Sequence, residues 1–143
     1  MEEARLIGLA ARDGVDLGDE RALVIDVGGG SVEMILLERG KLVTADSFKL
    51  GVIRLAEHFL GGEGKLGPKA RKRLVEQVRA WTADFVRRVA ARKPRLVFGT
   101  SGTILTLGTL AAGAPNLKLD SIHGREVSTA ALERLCEELV AMS

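Results

Sequence analysis

The stretch that most constrains this chain is Ala22-Leu23-Val24-Ile25-Asp26-Val27-Gly28-Gly29-Gly30-Ser31. Its apolar, largely β-branched part reads as a buried strand. A carboxylate, Asp26, stands near the end of that strand, and three glycines then reverse the chain. Val32 to Glu38 reads as a second strand, and Arg39-Gly40 turns it into a third, Lys41 to Phe48. The opening is therefore an antiparallel meander, which rules out an all-helical architecture.

The glycine turn has a chemistry of its own. Residues without side chains let backbone amides converge on an anion. Gly28, Gly29 and Gly30 are the candidate phosphate-binding residues, and Ser31 adds a hydroxyl donor. Glu33 lies two residues beyond Ser31, so a strand projects both to the same face. Asp26 and Glu33 together suit a magnesium ion, or a water beside a phosphate. No lysine follows the glycines and a strand follows in place of a helix, so this is not a Walker loop. A plain hairpin, with glycines serving backbone geometry alone, is the competing interpretation. It leaves the aspartate without a purpose.

The rest of the chain alternates helices with a single strand. Residues 2–12 and Leu50 to Leu60 read as helices, the second burying Ile53, Leu55, Ala56 and Phe59. Pro68 stands where a first helical residue belongs. Leu74, Val78, Trp81, Phe85 and Val89 then recur every three or four residues, giving an apolar helix face. Arg95 to Phe98 is a short strand entering Gly99-Thr100-Ser101-Gly102-Thr103, which opens a helix over Ile104 to Ala112. Helix N-termini attract anions, so Gly99, Thr100, Ser101 and Gly102 form a second candidate phosphate loop. Capping of an αβ connection explains these four residues equally well. After a loop over 113–127, Ser128 caps a last helix with the stripe Leu132, Leu135, Cys136, Leu139 and Val140. The expected fold class is α/β, a mixed sheet flanked by helices in one domain spanning 1–143. No strand follows the last helix, so the fold is expected to be truncated at its C-terminal end.

Composition narrows the function classes. Hydrophobic residues make up 46% and charged residues 28%, as in a soluble globular protein. A net charge of +2 and an aromatic content of 3% argue against a nucleic-acid partner and against base stacking. No apolar run reaches the length of a membrane span, and the acidic start does not resemble a signal peptide. The single cysteine, Cys136, excludes an intrachain disulfide, is expected to be buried in its helix, and is compatible with a cytoplasmic location. His58 and His123 have no partner spacing and are taken as structural or surface residues. Ten basic residues against two acidic ones between Lys69 and Arg95 read as the solvated face of an amphipathic helix. A sharper alternative is a track for a long polyanion.

Four segments carry a resemblance: Glu2-Glu3-Ala4-Arg5-Leu6-Ile7, Leu23 to Glu33, Leu50-Gly51-Val52-Ile53-Arg54-Leu55, and Gly99-Thr100-Ser101-Gly102-Thr103. In this order and approximate spacing they resemble the exopolyphosphatase and guanosine pentaphosphate phosphatase family. The resemblance implies a ribonuclease H-like fold, as in actin-like ATPase domains, with phosphate bound between two related domains. This chain resembles most of the second domain. The first domain, with its Asp-x-Gly-Ser-Asn-Ser loop, is expected to be missing, as are the last strand and helix.

The implied activity is release of the terminal phosphate from inorganic polyphosphate or guanosine pentaphosphate, as part of a larger enzyme. By the resemblance Glu3 is the base that activates water, Gly28 to Ser31 are the second phosphate loop, and Asp26 and Glu33 are associated with Mg²⁺. The role of Gly99 to Gly102 is less defined in the family. Alternatives are an actin-like kinase or ATPase fragment, and a non-catalytic phosphate- or alarmone-binding module. An incomplete sheet leaves an exposed edge, so a homodimer is also an expectation.

Overall fold

The computed structural model describes residues 19–60, 65–113 and 124–142. The helix expected over 2–12, with Glu3, lies outside these residues, as does His123. Four strands form one sheet: β1 (Arg21–Val27), β2 (Val32–Glu38), β3 (Lys41–Phe48) and β4 (Leu96–Thr100). Their order is β3-β2-β1-β4. β1 pairs antiparallel with β2, and β2 with β3, whereas β4 runs parallel to β1. The meander and the mixed sheet expected from the sequence are both present. The Arg39-Gly40 turn has φ of 51° and 66°, the doubly positive geometry of a tight hairpin.

A parallel pair needs a long crossover. Here it runs through α1 (Val52–Phe59) and α2 (Pro68–Arg92). Beyond β4 come α3 (Gly102–Ala111) and α4 (Thr129–Ala141), which pack on each other. Ser128 caps α4, its side chain accepting from the Ala131 N–H.

The period of two along each strand divides the core. One face carries Ala22, Val24, Ile35 and Leu37, with Ala45 and Phe98 against them. The other carries Leu23, Met34, Leu36 and Phe48, and α2 covers it with Phe85 and Val89. Phe48 and Phe85 meet edge to face at 6.0 Å between centroids.

Three expectations are corrected. Trp81 is 50% exposed, because the buried line of α2 runs through Thr82, Phe85 and Val89 and leaves Trp81 at its border. Ile53 is 62% exposed, since α1 turns Phe59 inward and Ile53 toward the glycine turn. Cys136 is exposed, because of the α4 stripe only Leu135 is buried.

One clamp joins the far end of the sheet to α2. Arg21 Nε donates to Glu38 Oε1 at 2.9 Å, and its Nη1 donates to the Arg92 carbonyl at 2.8 Å. The hydrogen bond from Arg21 lowers the Glu38 pKa below its ordinary value of 4.5. A lowered folded-state pKa gives stability that is present above the ordinary value and is lost as pH falls through the folded one. Arg21→Met should therefore flatten the loss of stability on acidification below pH 4.5, read as unfolding midpoints across that range.

Candidate functional site

The end of β1 gathers the expected site residues that the structure describes, Glu3 lying outside them. Gly28 N–H donates to the Ser31 carbonyl at 3.0 Å, so Gly29 and Gly30 form the tip of a short hairpin. None of Gly28, Gly29 and Gly30 has φ in the left-handed region. Turn geometry alone therefore does not require three glycines here. A Cβ on Gly30 would meet no atom within 4 Å. What the glycines provide is a bare strip of backbone.

The direction of that strip is set from behind by α1. The Gly28 carbonyl accepts from Val52 N–H at 3.0 Å, and the Gly29 carbonyl accepts from Ile53 N–H at 3.0 Å and Arg54 N–H at 3.3 Å. Arg54 Nε donates to the Gly30 carbonyl at 3.1 Å. The first N–H groups of a helix lack partners within it, and here the loop carbonyls supply them. A trans peptide plane points each carbonyl opposite to the next residue's N–H. The amides of Gly29, Gly30 and Ser31 are therefore turned away from α1 together, as in an anion-binding nest.

This contact depends on Gly51. A Cβ there would lie 2.3 Å from the Gly30 carbonyl carbon and 2.4 Å from that of Gly29. Gly51 and Arg54 both stand in the Leu50 to Leu55 segment of the resemblance, where no local pattern marks either for a role. Because Arg54 grips the loop through a solvent-exposed hydrogen bond, Arg54→Ala should slow phosphate release by the full-length protein about fivefold to tenfold, the net worth of one ordinary hydrogen bond. Added guanidinium should restore part of the rate.

Beside the loop, four polar side chains stand in one line across the sheet. Ser47 on β3 faces Glu33 on β2, Glu33 faces Asp26 on β1, and Asp26 faces Thr100 on β4. Facing residues on paired strands project to one side, so the line continues the face of Val24, Ile35, Ala45 and Phe98. Ser47 Oγ donates to Glu33 Oε1 at 2.7 Å, and the Thr100 hydroxyl donates to Asp26 Oδ2. Glu33 is 3% exposed. Two carboxylates thus oppose each other directly across an antiparallel pair, an arrangement that destabilises a sheet unless a positive charge offsets it. Among the described residues, no group of three or more His, Cys, Asp or Glu could hold a metal.

The second candidate loop is engaged inward. The Thr100 hydroxyl is given to Asp26, and Ser101 Oγ donates to the Val27 carbonyl at 2.8 Å. A Cβ on Gly99 would lie 2.4 Å from Ile104 Cγ2, so packing alone accounts for that glycine. Gly102 is open, and it begins α3. The hydroxyls of this loop strap β4 to the end of β1, and the opening amides of α3 are what it has to offer an anion.

The basic helix lies elsewhere. α2 covers the sheet face opposite the carboxylate line. Arg87 pairs with Asp84 at 2.8 Å, and Arg88 pairs with Asp46 at 3.3 Å. Arg92 approaches Glu38 at 3.8 Å. The solvated-face interpretation fits this placement better than a polyanion track. No helix among the described residues is long and apolar enough to cross a membrane.

Comparison with known proteins bears on the fold and the family. The family model described as the Ppx/GppA phosphatase family matches residues 1–143. A protein of Streptomyces coelicolor is 36% identical over 115 residues, covering 79% of this chain and 34% of its own length. Exopolyphosphatase 2 of Mycobacterium tuberculosis is 31% identical over 123 residues, covering 85% of this chain and 37% of its own. Among solved structures, an exopolyphosphatase from Cytophaga hutchinsonii superposes with a TM-score of 0.80 at 24% identity, over 97% of this chain and 45% of that one. The Aquifex aeolicus PPX-GPPA enzyme gives 0.81 at 21%, over 98% and 44%. The chain thus spans about a third of the curated relatives and under half of the solved ones. Its four-stranded mixed sheet has the fold of those enzymes, and the chain belongs to the Ppx/GppA phosphatase family.

Proposed function

We propose that this chain forms one wall of a site that releases the terminal phosphate of inorganic polyphosphate or guanosine pentaphosphate, within a longer polypeptide. The observation that carries this is the glycine strip: its carbonyls are tied back to α1, and its amides are turned away together beside two opposed carboxylates, Glu33 buried and Asp26 half-buried. Prepositioned donors of this kind offset charge on phosphoryl oxygens without reorganising during the reaction. The family membership and the exopolyphosphatase relative support the reaction class.

Gly29, Gly30 and Ser31 are assigned the phosphoryl group, and the opening amides of α3 at Gly102 a neighbouring one; Gly28, expected among them from the sequence, gives its N–H to the Ser31 carbonyl and closes the hairpin instead. The opposed carboxylates of Asp26 and Glu33 fit Mg²⁺, a hard cation that takes one or two carboxylates and fills its sphere with water and phosphate oxygens. When bound there, Mg²⁺ would supply positive charge against the phosphoryl oxygens. Glu3 is assigned the base that takes a proton from the attacking water. A first domain with its own phosphate loop would close the other side of the cleft.

The test is phosphate release from polyphosphate and from guanosine pentaphosphate, with Mg²⁺, by the full-length protein and by residues 1–143 side by side. Release by the longer protein alone makes this chain a half-site, and release from one substrate alone assigns it. No release from either substrate by the longer protein would overturn the proposal. Unimpaired turnover by Glu3→Gln would remove Glu3 from the base role.

A further inference from the structure

We infer that Ser47 and Thr100 are positioning residues: each holds one inner carboxylate from the outside so that the pair can share a divalent cation. The inference rests on the proposal that Asp26 and Glu33 seat the cation.

The geometry is the same on both sides of the pair. In the line Ser47, Glu33, Asp26, Thr100, the two hydroxyls stand outside and the two carboxylates inside. Each hydroxyl donates to one oxygen of its neighbour, Ser47 to Glu33 Oε1 and Thr100 to Asp26 Oδ2. Each carboxylate therefore has one oxygen held from outside the pair. Without the donors, mutual repulsion would be free to swing two adjacent carboxylates apart. Ligating carboxylates are commonly hydrogen-bonded from behind, and losing such a partner costs tenfold to a hundredfold in metal affinity or activity.

The placement of Ser47 depends on an irregularity. From the Arg39-Gly40 turn, β2 and β3 pair as Glu38 with Lys41 and Leu37 with Leu42. The next pair is Leu36 with Thr44, so Val43 is an extra residue on β3. Beyond this bulge the register is shifted by one, and Ser47 faces Glu33. Unbroken pairing would have put Asp46 opposite Glu33, a third carboxylate in the line. The bulge instead sends Asp46 to Arg88, at 3.3 Å on the opposite face, and brings a neutral donor into the line.

The experiment uses the full-length protein and two measurements. One is the Mg²⁺ concentration giving half-maximal phosphate release. The other is Mn²⁺ binding without substrate, followed by the paramagnetic resonance of the free ion. Ser47→Ala should raise the Mg²⁺ midpoint and weaken Mn²⁺ binding about tenfold, with most of kcat recovered at saturating metal. Ser47→Thr, which keeps the donor, should stay near wild type. Thr100→Val and Thr100→Ser should behave as the corresponding pair. If Ser47→Ala fails to fold, Ser47→Cys, a weak donor of similar size, makes the same comparison. Unchanged metal binding in Ser47→Ala and Thr100→Val, alongside weakened binding in Asp26→Asn and Glu33→Gln, would overturn the positioning role alone. Unchanged binding in all four variants would overturn the cation seat as well.

Discussion

Gly51→Ala is expected to lower phosphate release by the full-length protein about a hundredfold, while far-ultraviolet circular dichroism stays near wild type. Gly51 has φ −62° and ψ 151°, which any residue adopts, so backbone strain plays no part. Space decides the matter. A methyl group would sit 2.3 Å from Gly30 and 2.4 Å from Gly29, against backbone atoms that no rotamer change can move. The loop must lift from α1 by about an ångström, a displacement that costs a reactive site about a hundredfold. The hydrogen bonds from Val52, Ile53 and Arg54 would stretch with it, freeing the loop carbonyls to rotate and the amides with them. Overpacking of this kind also costs about 1–3 kcal/mol of stability. Gly67→Ala is the control, because a Cβ there meets nothing within 4 Å, and its activity should be unchanged. Full activity in Gly51→Ala would mean that the loop's seat on α1 does not matter to the reaction.

Asp26→Asn should lower phosphate release about a hundredfold to a thousandfold, the scale of losing a prepositioned electrostatic group, without any loss of stability. The amide matches the carboxylate in shape, and its oxygen can still accept from Thr100. The charge that would seat the cation is halved, so activity falls. The same change removes like-charge opposition to Glu33 across the β1–β2 pair, so the melting temperature should hold or rise. The pairing of lower activity with retained or greater stability is the diagnostic. A variant that loses both would make Asp26 a structural residue.

Much of the fold was legible because the strands announce themselves. Val24 and Ile25 are β-branched and buried or half-buried, and the Arg39-Gly40 turn marks the hairpin. Asp26 was visible as a carboxylate ending such a strand, and Glu33 as the residue two beyond Ser31. Ser47 was not visible, because its position opposite Glu33 depends on a bulge at Val43 that no local pattern records. Gly51 was not distinguishable from the other glycines, since its constraint comes from atoms twenty-one and twenty-two residues away in sequence. Trp81 departs from its expected burial for a related reason. Periodicity locates the centre of an apolar stripe but not its borders, and Trp81 lies on one. Thr100 was read as a phosphate donor from its place in a loop, and the parallel pairing of β4 with β1 turned its hydroxyl toward Asp26.

The partnership of Thr100 with Asp26 has a consequence for the order of folding. They are 74 residues apart, whereas Asp26, Glu33 and Ser47 lie on one local meander. Local hairpins close within microseconds, and a parallel strand reached through two helices must first meet the entropy of a long loop. The meander is thus expected to form early, with its acidic pair supported from the Ser47 side alone. Docking of β4 then completes the line and, through Ser101, anchors the end of β1. The complete line of four side chains would be a late product of folding, finished only when β4 has docked.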